Sequence, residues 1–120
     1  GQDTGCMMAF ASSYKLAILT PEGRCFDGDV ESVVAPGLLG SFGVLADHAP
    51  MVAALRPGVV KILEDEQKAS FFVISGGVID INSNSVTLMA DAAETAPNAL
   101  EAARKLDTLL SLQPTLGHAK

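Results

Sequence analysis

Residues 70–90 read SFFVISGGVIDINSNSVTLMA, three short apolar runs separated by two pairs of turn-forming residues. The run SFFVIS is followed by Gly76 and Gly77, and the run VIDIN is followed by Ser83 and Asn84. Short runs rich in β-branched and aromatic residues, bounded by Gly, Ser and Asn, are typical of β-strands. The segment therefore predicts three consecutive strands with tight connections.

The same pattern extends back to Tyr14. Runs such as YKLAIL (14–19) and VVKIL (59–63) alternate with turn residues, among them Pro21 and the charged stretch EDEQK (64–68). Since no segment between these runs is long enough for a crossover helix, the strands must pair in a mostly antiparallel way. The pattern predicts an antiparallel β-sandwich of about ten strands over residues 14–91.

After Ala90 the pattern becomes helical. In ETAPNALEAARKLDTLLSLQP (94–114), Thr95 suits the N-cap, Pro97 suits the first turn, and Pro114 ends the helix. The predicted apolar face comprises Leu100, Ala103, Leu106, Leu109 and Leu110. We therefore expect a mainly β fold with one C-terminal helix and tail over 92–120, and residues 1–13 to be a leader, a tag remnant or a disordered segment.

Composition excludes several function classes. The net charge of the 120 residues is −6, and no window concentrates Lys or Arg, which argues against a nucleic-acid or anionic-lipid partner. No run approaches the ~20 apolar residues of a membrane-spanning helix, so we expect no direct membrane insertion. Cys6 and Cys25 are interpreted as free thiols of a reducing compartment.

The sequence contains few side chains that could catalyse a reaction. His48 and His118 are the only imidazoles, and a Cys25–His48 pair is the one nucleophile–base combination that stands out on paper. The metal-binding patterns CxxC and HxxxH are both absent. The sequence therefore predicts a non-enzymatic protein with no catalytic residue, metal ligand or cofactor.

Three separate motifs carry a family resemblance. The blocks TPEGRCFDGDVESVVAPG, GSFGVLADHAPMVAALRPGVV and SGGVIDINSNSVTLMADAAE lie in order along residues 20–94. They resemble the ε subunit of bacterial and chloroplast F1Fo ATP synthases, whose mitochondrial homologue is called δ. The resemblance implies a ten-stranded sandwich and a central-stalk rotor subunit that couples c-ring rotation to γ and to the catalytic head. At most weak regulation of ATP hydrolysis is expected.

The resemblance also implies which end of the sandwich faces the c-ring. In the family, the connections that correspond to PGLLGSFG (36–43) and ADHAP (46–50) lie at that end. The implied contact residues are Leu38, Leu39, Gly40, Ser41, Phe42 and His48. The alternative is that these residues only shape tight hairpins. Many relatives carry an acidic residue where Leu39 stands, and Pro-Gly where this chain has Ala46 and Asp47.

Other implied contacts are with the γ subunit. By family position, the candidates for this contact are Phe72, Ile74, Val78 and Ile79. Leu100, Glu101 and Arg104 resemble a vestige of a nucleotide-binding pattern in the first helix of some relatives, while the second helix of the family hairpin is missing or vestigial. A contact of the helix with the α/β head is left open.

The implied location is a peripheral membrane complex on the cytoplasmic face of the bacterial inner membrane, with the mitochondrial matrix face or the chloroplast stroma as alternatives. Two other functions remain in competition. One is a free-standing β-sandwich or jelly roll that binds a small ligand, which would require a concave pocket. The other is a hydrolase that uses Cys25 or a serine together with His48.

Overall fold

The computed structural model of the chain describes residues 13–112, which form ten strands and one helix. The first five strands are β1 (Tyr14–Thr20), β2 (Gly23–Val30), β3 (Ser32–Gly37), β4 (Gly40–Leu45) and β5 (Met51–Leu55). The next five are β6 (Gly58–Asp65), β7 (Lys68–Ile74), β8 (Gly77–Ile81), β9 (Ser85–Ala90) and β10 (Ala93–Ala96). The helix α1 spans Ala99–Leu112. The predicted class, mainly β with one C-terminal helix, is confirmed.

The strands form two layers that are joined at one corner. One layer follows the order β10-β7-β6-β3-β4, and the other follows β5-β8-β9-β1-β2. A single residue pair, Gly37 of β3 opposite Leu55 of β5, joins the two layers into one continuous sheet. All pairings are antiparallel except that of β1 with β9, which is parallel. The expectation of mostly antiparallel pairing therefore holds.

The core lies between the two layers, and alternation along the strands fills it. In β1, Leu16 and Ile18 are fully buried, whereas Lys15 between Tyr14 and Leu16 is exposed. This period of two places every second side chain on the inner face of a sheet. The other fully buried residues include Ile62, Ile74, Ile79, Ile81 and Leu88. No charged side chain is buried among residues 13–112.

Tyr14 holds β4 to the core through a buried hydrogen bond. Its hydroxyl donates to the main-chain carbonyl oxygen of Val44 at 2.6 Å. Burial removes the phenol from water and so disfavours its charged form. This desolvation raises the pKa of Tyr14 to about 12, against an ordinary value of 10.0.

The raised pKa of Tyr14 predicts a loss of stability at alkaline pH. The folded chain holds the phenolic proton more tightly than the unfolded chain, so the contribution is complete below about pH 10 and declines as the pH rises towards 12. We expect the free energy of unfolding in urea to be about 1.3 kcal/mol lower at pH 11 than at pH 9 from this group. Tyr14→Phe should remove that share of the decline; an unchanged pH profile in this variant would contradict the assignment.

The last strand and the start of the helix differ from the sequence prediction. Residues 93–96 form β10, in which Thr95 lies opposite Phe72 of β7. The helix begins at Ala99, and the Asn98 side-chain oxygen accepts a hydrogen bond from the Glu101 main-chain N–H at 2.8 Å. Thr95 as N-cap was therefore wrong, because pairing with β7 extends its backbone and Asn98 satisfies the free N–H groups of the first turn.

Helix α1 packs against the β10-β7-β6 side of the sandwich. Ala102, Leu106 and Leu109 contact Val73 and Ala96. The spacing 102, 106, 109 is one stripe of an α-helix. The other predicted face residues, Leu100, Ala103 and Leu110, are exposed. The predicted face was therefore rotated from the packed one, because the sheet lies against Ala102 rather than against Leu100 and Ala103.

Several predictions fall outside the described residues. These concern the leader over 1–13 (apart from Ser13), the state of Cys6, the helix end at Pro114 and the position of His118. Cys25 is an exposed thiol on β2. Within residues 13–112, no helix combines the length and the hydropathy needed to cross a bilayer.

Candidate functional site

The β3–β4 hairpin ends in two exposed leucines. Gly37 and Gly40 pair across the tip, and Leu38 and Leu39 form its two-residue loop. The side chains of Leu38 and Leu39 are 63% and 105% exposed. Apolar side chains held this far out of the protein are ordinarily covered by a partner. We call residues 37–40 the hairpin tip.

Two glycines make this tip possible. Gly40 has φ +143°, a region that L side chains rarely adopt. A Cβ atom on Gly37 would lie 2.8 Å from both the Gly40 carbonyl oxygen and the Phe42 ring. The Phe42 ring lies beside Gly37 and also packs against the main core, so it links the tip to the core.

An apolar groove lies between the hairpin tip and β5. It has a volume of about 320 Å³ and is lined by Gly37, Leu38, Leu39, Gly40, Phe42, Met51, Ala53 and Ala54. The lining contains no charged side chain. The groove can therefore accept an apolar surface of another protein but offers no group for acid–base chemistry.

The loop that follows β4 orients His48. Asp47 has φ +66°, and the His48 main-chain N–H donates to the Leu45 carbonyl oxygen at 3.3 Å. The His48 ring Nδ1 lies 2.8 Å from the Ala49 carbonyl oxygen. A carbonyl only accepts, so Nδ1 carries the proton and Nε2 is left as an acceptor in the neutral ring. The hydrogen bond to Ala49 holds the imidazole ring in one orientation.

Asp47 adopts a left-handed backbone conformation, with φ +66°. Asp is among the few non-glycine residues that adopt this conformation without severe strain. The residue at position 47 therefore suits the turn that carries His48.

A second apolar surface occupies part of the outer side of the β5-β8-β9-β1 layer, where Asp80 and Thr87 also lie. Ala54 pairs with Val78, Val78 with Met89, and Met89 with Leu19, so these residues form one row on the same side. Val52 lies two positions before Ala54 on the same side of β5, and its side chain is 68% exposed. We call these five apolar residues the outer apolar face. Val78 is 37% exposed and Met89 is 43% exposed.

The structure corrects most of the predicted γ contacts. Phe72 is 4% exposed, and Ile74 and Ile79 are fully buried in the chain's own core. Their side chains are therefore occupied by contacts within this chain, because they point inward between the two layers. Of the four predicted residues, Val78 alone presents its side chain outward.

The predicted nucleotide pattern lies on the exposed side of α1. Arg104 lies 3.9 Å from a Glu101 carboxylate oxygen, and Lys105 is 2.5 Å from a Glu94 carboxylate oxygen on β10. Leu100 is 64% exposed at the first turn. Both cations of the helix are therefore engaged with carboxylates, an arrangement that ordinarily serves a helix surface.

Among the described residues, 13–112, no three His, Cys, Asp or Glu side chains come together as metal ligands would. A depression of about 680 Å³ beside α1 is open to solvent and lined by charged side chains such as Asp107. It lacks the enclosed, mostly apolar walls of a small-ligand pocket.

Sequence reasoning missed part of the exposed surface. Leu19, Val52 and Met89 were assigned to strands but not to a site. The signal was present in MVAAL, whose outward positions Val52 and Ala54 are apolar, and at Met89, the one apolar outward position of SVTLMA. A polar outward face is the ordinary pattern of an antiparallel sheet. An apolar one indicates a covered surface.

Most of the chain matches a family of known proteins. Residues 13–96 match the family described as "ATP synthase, Delta/Epsilon chain, beta-sandwich domain". The chain is 37% identical over 105 residues to ATP synthase epsilon chain 1 of Nitrobacter hamburgensis, which covers 88% of this chain and 76% of that protein. It is 44% identical over 82 residues to the ATP synthase epsilon chain of Protochlamydia amoebophila, which covers 68% of this chain and 56% of that protein.

The architecture also has solved counterparts. A chain in the cryo-EM structure of the Euglena gracilis mitochondrial ATP synthase, comprising OSCP, F1 and c-ring, matches with a TM-score of 0.67 at 20% identity. That match covers 98% of this chain and 84% of the other. The resemblance drawn from the three sequence motifs is thereby confirmed, and this chain belongs to the ATP synthase delta/epsilon family.

Proposed function

We propose that the chain is a non-catalytic central-stalk subunit that transmits rotation between the c-ring and the γ subunit of an F1Fo ATP synthase. The single observation that carries this proposal is the pair of apolar surfaces on one stiff sandwich. A subunit that transfers torque needs two attachment surfaces on a body that does not deform. The two-layer core supplies that body, because its side chains are close-packed and fully buried.

The hairpin tip is the proposed contact with the c-ring. Leu38 and Leu39 project from it, and Gly40, Ser41 and Phe42 shape and support it. His48, on the next loop, offers Nε2 as an acceptor. The likeness to chains of two ATP synthase structures whose descriptions include a c-ring, from Euglena gracilis and Tetrahymena thermophila, supports this choice of partner.

The outer apolar face is the proposed contact with γ. It replaces the buried residues Phe72, Ile74 and Ile79 as the surface available to that subunit, and it retains Val78. The Tetrahymena thermophila structure is described as a central stalk with its c-ring, and its matching chain has a TM-score of 0.58 at 15% identity.

Regulation through the helix is proposed to be weak at most. Arg104 and Lys105 are the basic residues of α1, and both are paired with carboxylates. A contact with the α/β head or a nucleotide phosphate would have to break these pairs. We place the assembled complex on the periphery of an energy-transducing membrane, on the cytoplasmic face of the bacterial inner membrane as the relatives' bacterial sources suggest.

Two valines of nearly equal exposure test the γ contact. Val78 is 37% exposed on the outer apolar face, and Val34 is 38% exposed on the opposite layer. We expect Val78→Asp to weaken co-purification with γ by at least about tenfold, since an unpaired charge in an apolar interface is costly. Val34→Asp should co-purify as the unmodified chain does. Equal retention of γ by both variants would contradict the proposed face.

A further inference from the structure

The hairpin tip extends beyond the sheet that supports its base. Strand β3 pairs with β6 only over residues 32–34, so from Ala35 onward β4 is its main neighbour. A two-stranded hairpin is marginally stable by itself. The projecting part needs another attachment if Leu38 and Leu39 are to keep a fixed direction.

Arg56 supplies that attachment from the β5–β6 corner. Its main-chain N–H donates to the Pro36 carbonyl oxygen at 2.9 Å, and its side-chain Nε–H donates to the Gly37 carbonyl oxygen at 3.0 Å. One residue therefore binds two consecutive carbonyls at the base of the tip. Hydrogen bonds from a charged donor are stronger than those between neutral groups.

Close packing at the same corner leaves the hairpin little freedom. A Cβ atom on Gly58 would lie 2.5 Å from the Pro36 Cβ, so the proline ring already packs against the Gly58 backbone. Gly37 also forms the single pair with Leu55 that joins the two layers. The Arg56 bonds thus act where the hairpin leaves the sandwich.

We propose that Arg56 is a positioning residue that sets the direction and stiffness of the hairpin tip against its partner. The inference rests on the proposed function, because it assumes that the tip carries torque. Arg56 contacts neither Leu38 nor Leu39 through its described hydrogen bonds; it acts through the carbonyls of Pro36 and Gly37. Loss of the Nε–H donor leaves the tip in place but allows it to bend about its base.

The test compares three variants in the assembled F1Fo complex in sealed vesicles. Arg56→Met removes the side-chain donors, Arg56→Lys retains a cationic donor, and Lys61→Met removes an exposed cation from β6 as a control. The measured quantities are the ratio of ATP-driven proton pumping to ATP hydrolysis and, in the free chain, the hydrogen exchange of amides in residues 35–42.

We expect hairpin amides in Arg56→Met to exchange about fivefold faster, as loss of one net hydrogen bond implies. The pumping ratio should fall in Arg56→Met, recover in part in Arg56→Lys, and stay unchanged in Lys61→Met. A purely structural role would lower the unfolding temperature without changing the ratio in complexes assembled well below that temperature.

An unchanged pumping ratio in Arg56→Met would overturn the positioning role, whatever its exchange rates. The proposed function fails separately: a Leu38→Ser/Leu39→Ser complex that pumps normally would show that the tip carries no torque. A normal Arg56→Met complex beside an uncoupled leucine variant would reject the positioning role alone.

Discussion

Gly77→Ala is expected to destabilise the isolated chain strongly. Gly77 has φ +156°, and a Cβ atom there would overlap the Met89 carbonyl oxygen and lie 2.9 Å from the Ala90 Cα. Both neighbours are backbone atoms of the paired strand β9, so neither can move aside as a flexible side chain could. Backbone strain and overpacking together should cost about 2–5 kcal/mol. That is a large fraction of the stability of a small domain, about 5–15 kcal/mol.

Two other glycines separate strain from overlap. Gly40 has φ +143° but no atom within 4 Å of a built Cβ, and Gly43 has its nearest such atom, the Val33 carbonyl oxygen, at 4.0 Å. We expect Gly40→Ala to cost about 1–2 kcal/mol from strain alone. Gly43→Ala should change stability by less than about 1 kcal/mol. Urea unfolding of the three variants measures this order, and a Gly77→Ala midpoint equal to that of Gly43→Ala would refute the overlap.

Leu38→Ser combined with Leu39→Ser is expected to uncouple the assembled enzyme. The two side chains are 63% and 105% exposed in the free chain, so their removal should change its unfolding free energy by less than about 0.5 kcal/mol. If both are buried against the c-ring, their loss removes about 3–6 kcal/mol of contact energy. That corresponds to at least about a 100-fold weaker attachment. The measurement is ATP-driven proton pumping per ATP hydrolysed in vesicles.

Leu100 and Leu110 provide the matched control for the leucine pair. They are exposed leucines, 64% and 49%, on the helix rather than at the tip. Leu100→Ser combined with Leu110→Ser removes the same atoms from the same surface class and should leave the pumping ratio unchanged. A tip variant that remains coupled would contradict the proposed c-ring contact. A helix variant that is equally uncoupled would show that general hydrophobicity rather than the tip accounts for the effect.

The architecture explains why a protein with so little chemistry has such a constrained backbone. The positions that tolerate least change are glycines at strand ends, such as Gly37, Gly58 and Gly77, where an added Cβ atom would overlap neighbouring atoms. Gly37 and Gly58 allow close packing where the two layers join and where the hairpin tip begins. A subunit whose task is mechanical depends on that shape in the way that an enzyme depends on its reactive side chains.

The strands could be predicted because their signal is local. Tyr14–Thr20 and Ser85–Ala90 follow the alternation in the sequence, and turn residues mark their ends. The family resemblance also predicts that Leu38 and Leu39 face a partner, and both side chains are exposed in the free chain. Strand β10 was missed because AETA has no apolar alternation of its own. It is a strand because β7 offers an edge for pairing.

The interaction surfaces were harder to predict, since they depend on which side of each strand faces inward. Phe72, Ile79 and Val78 have similar apolar character, yet the first two are buried and the third is exposed. Arg56 was not singled out at all, because its target carbonyls lie 19 and 20 positions earlier in the chain.

The sequence alone specifies the strands, because alternation and turn residues are local signals within a few positions. It also specifies the family, because three motifs occur in a fixed order. The outer apolar face, the true helix face and the Arg56 attachment emerge when the two layers pack together. Their partners are distant along the chain, and burial is a property of the assembled layers rather than of any one segment.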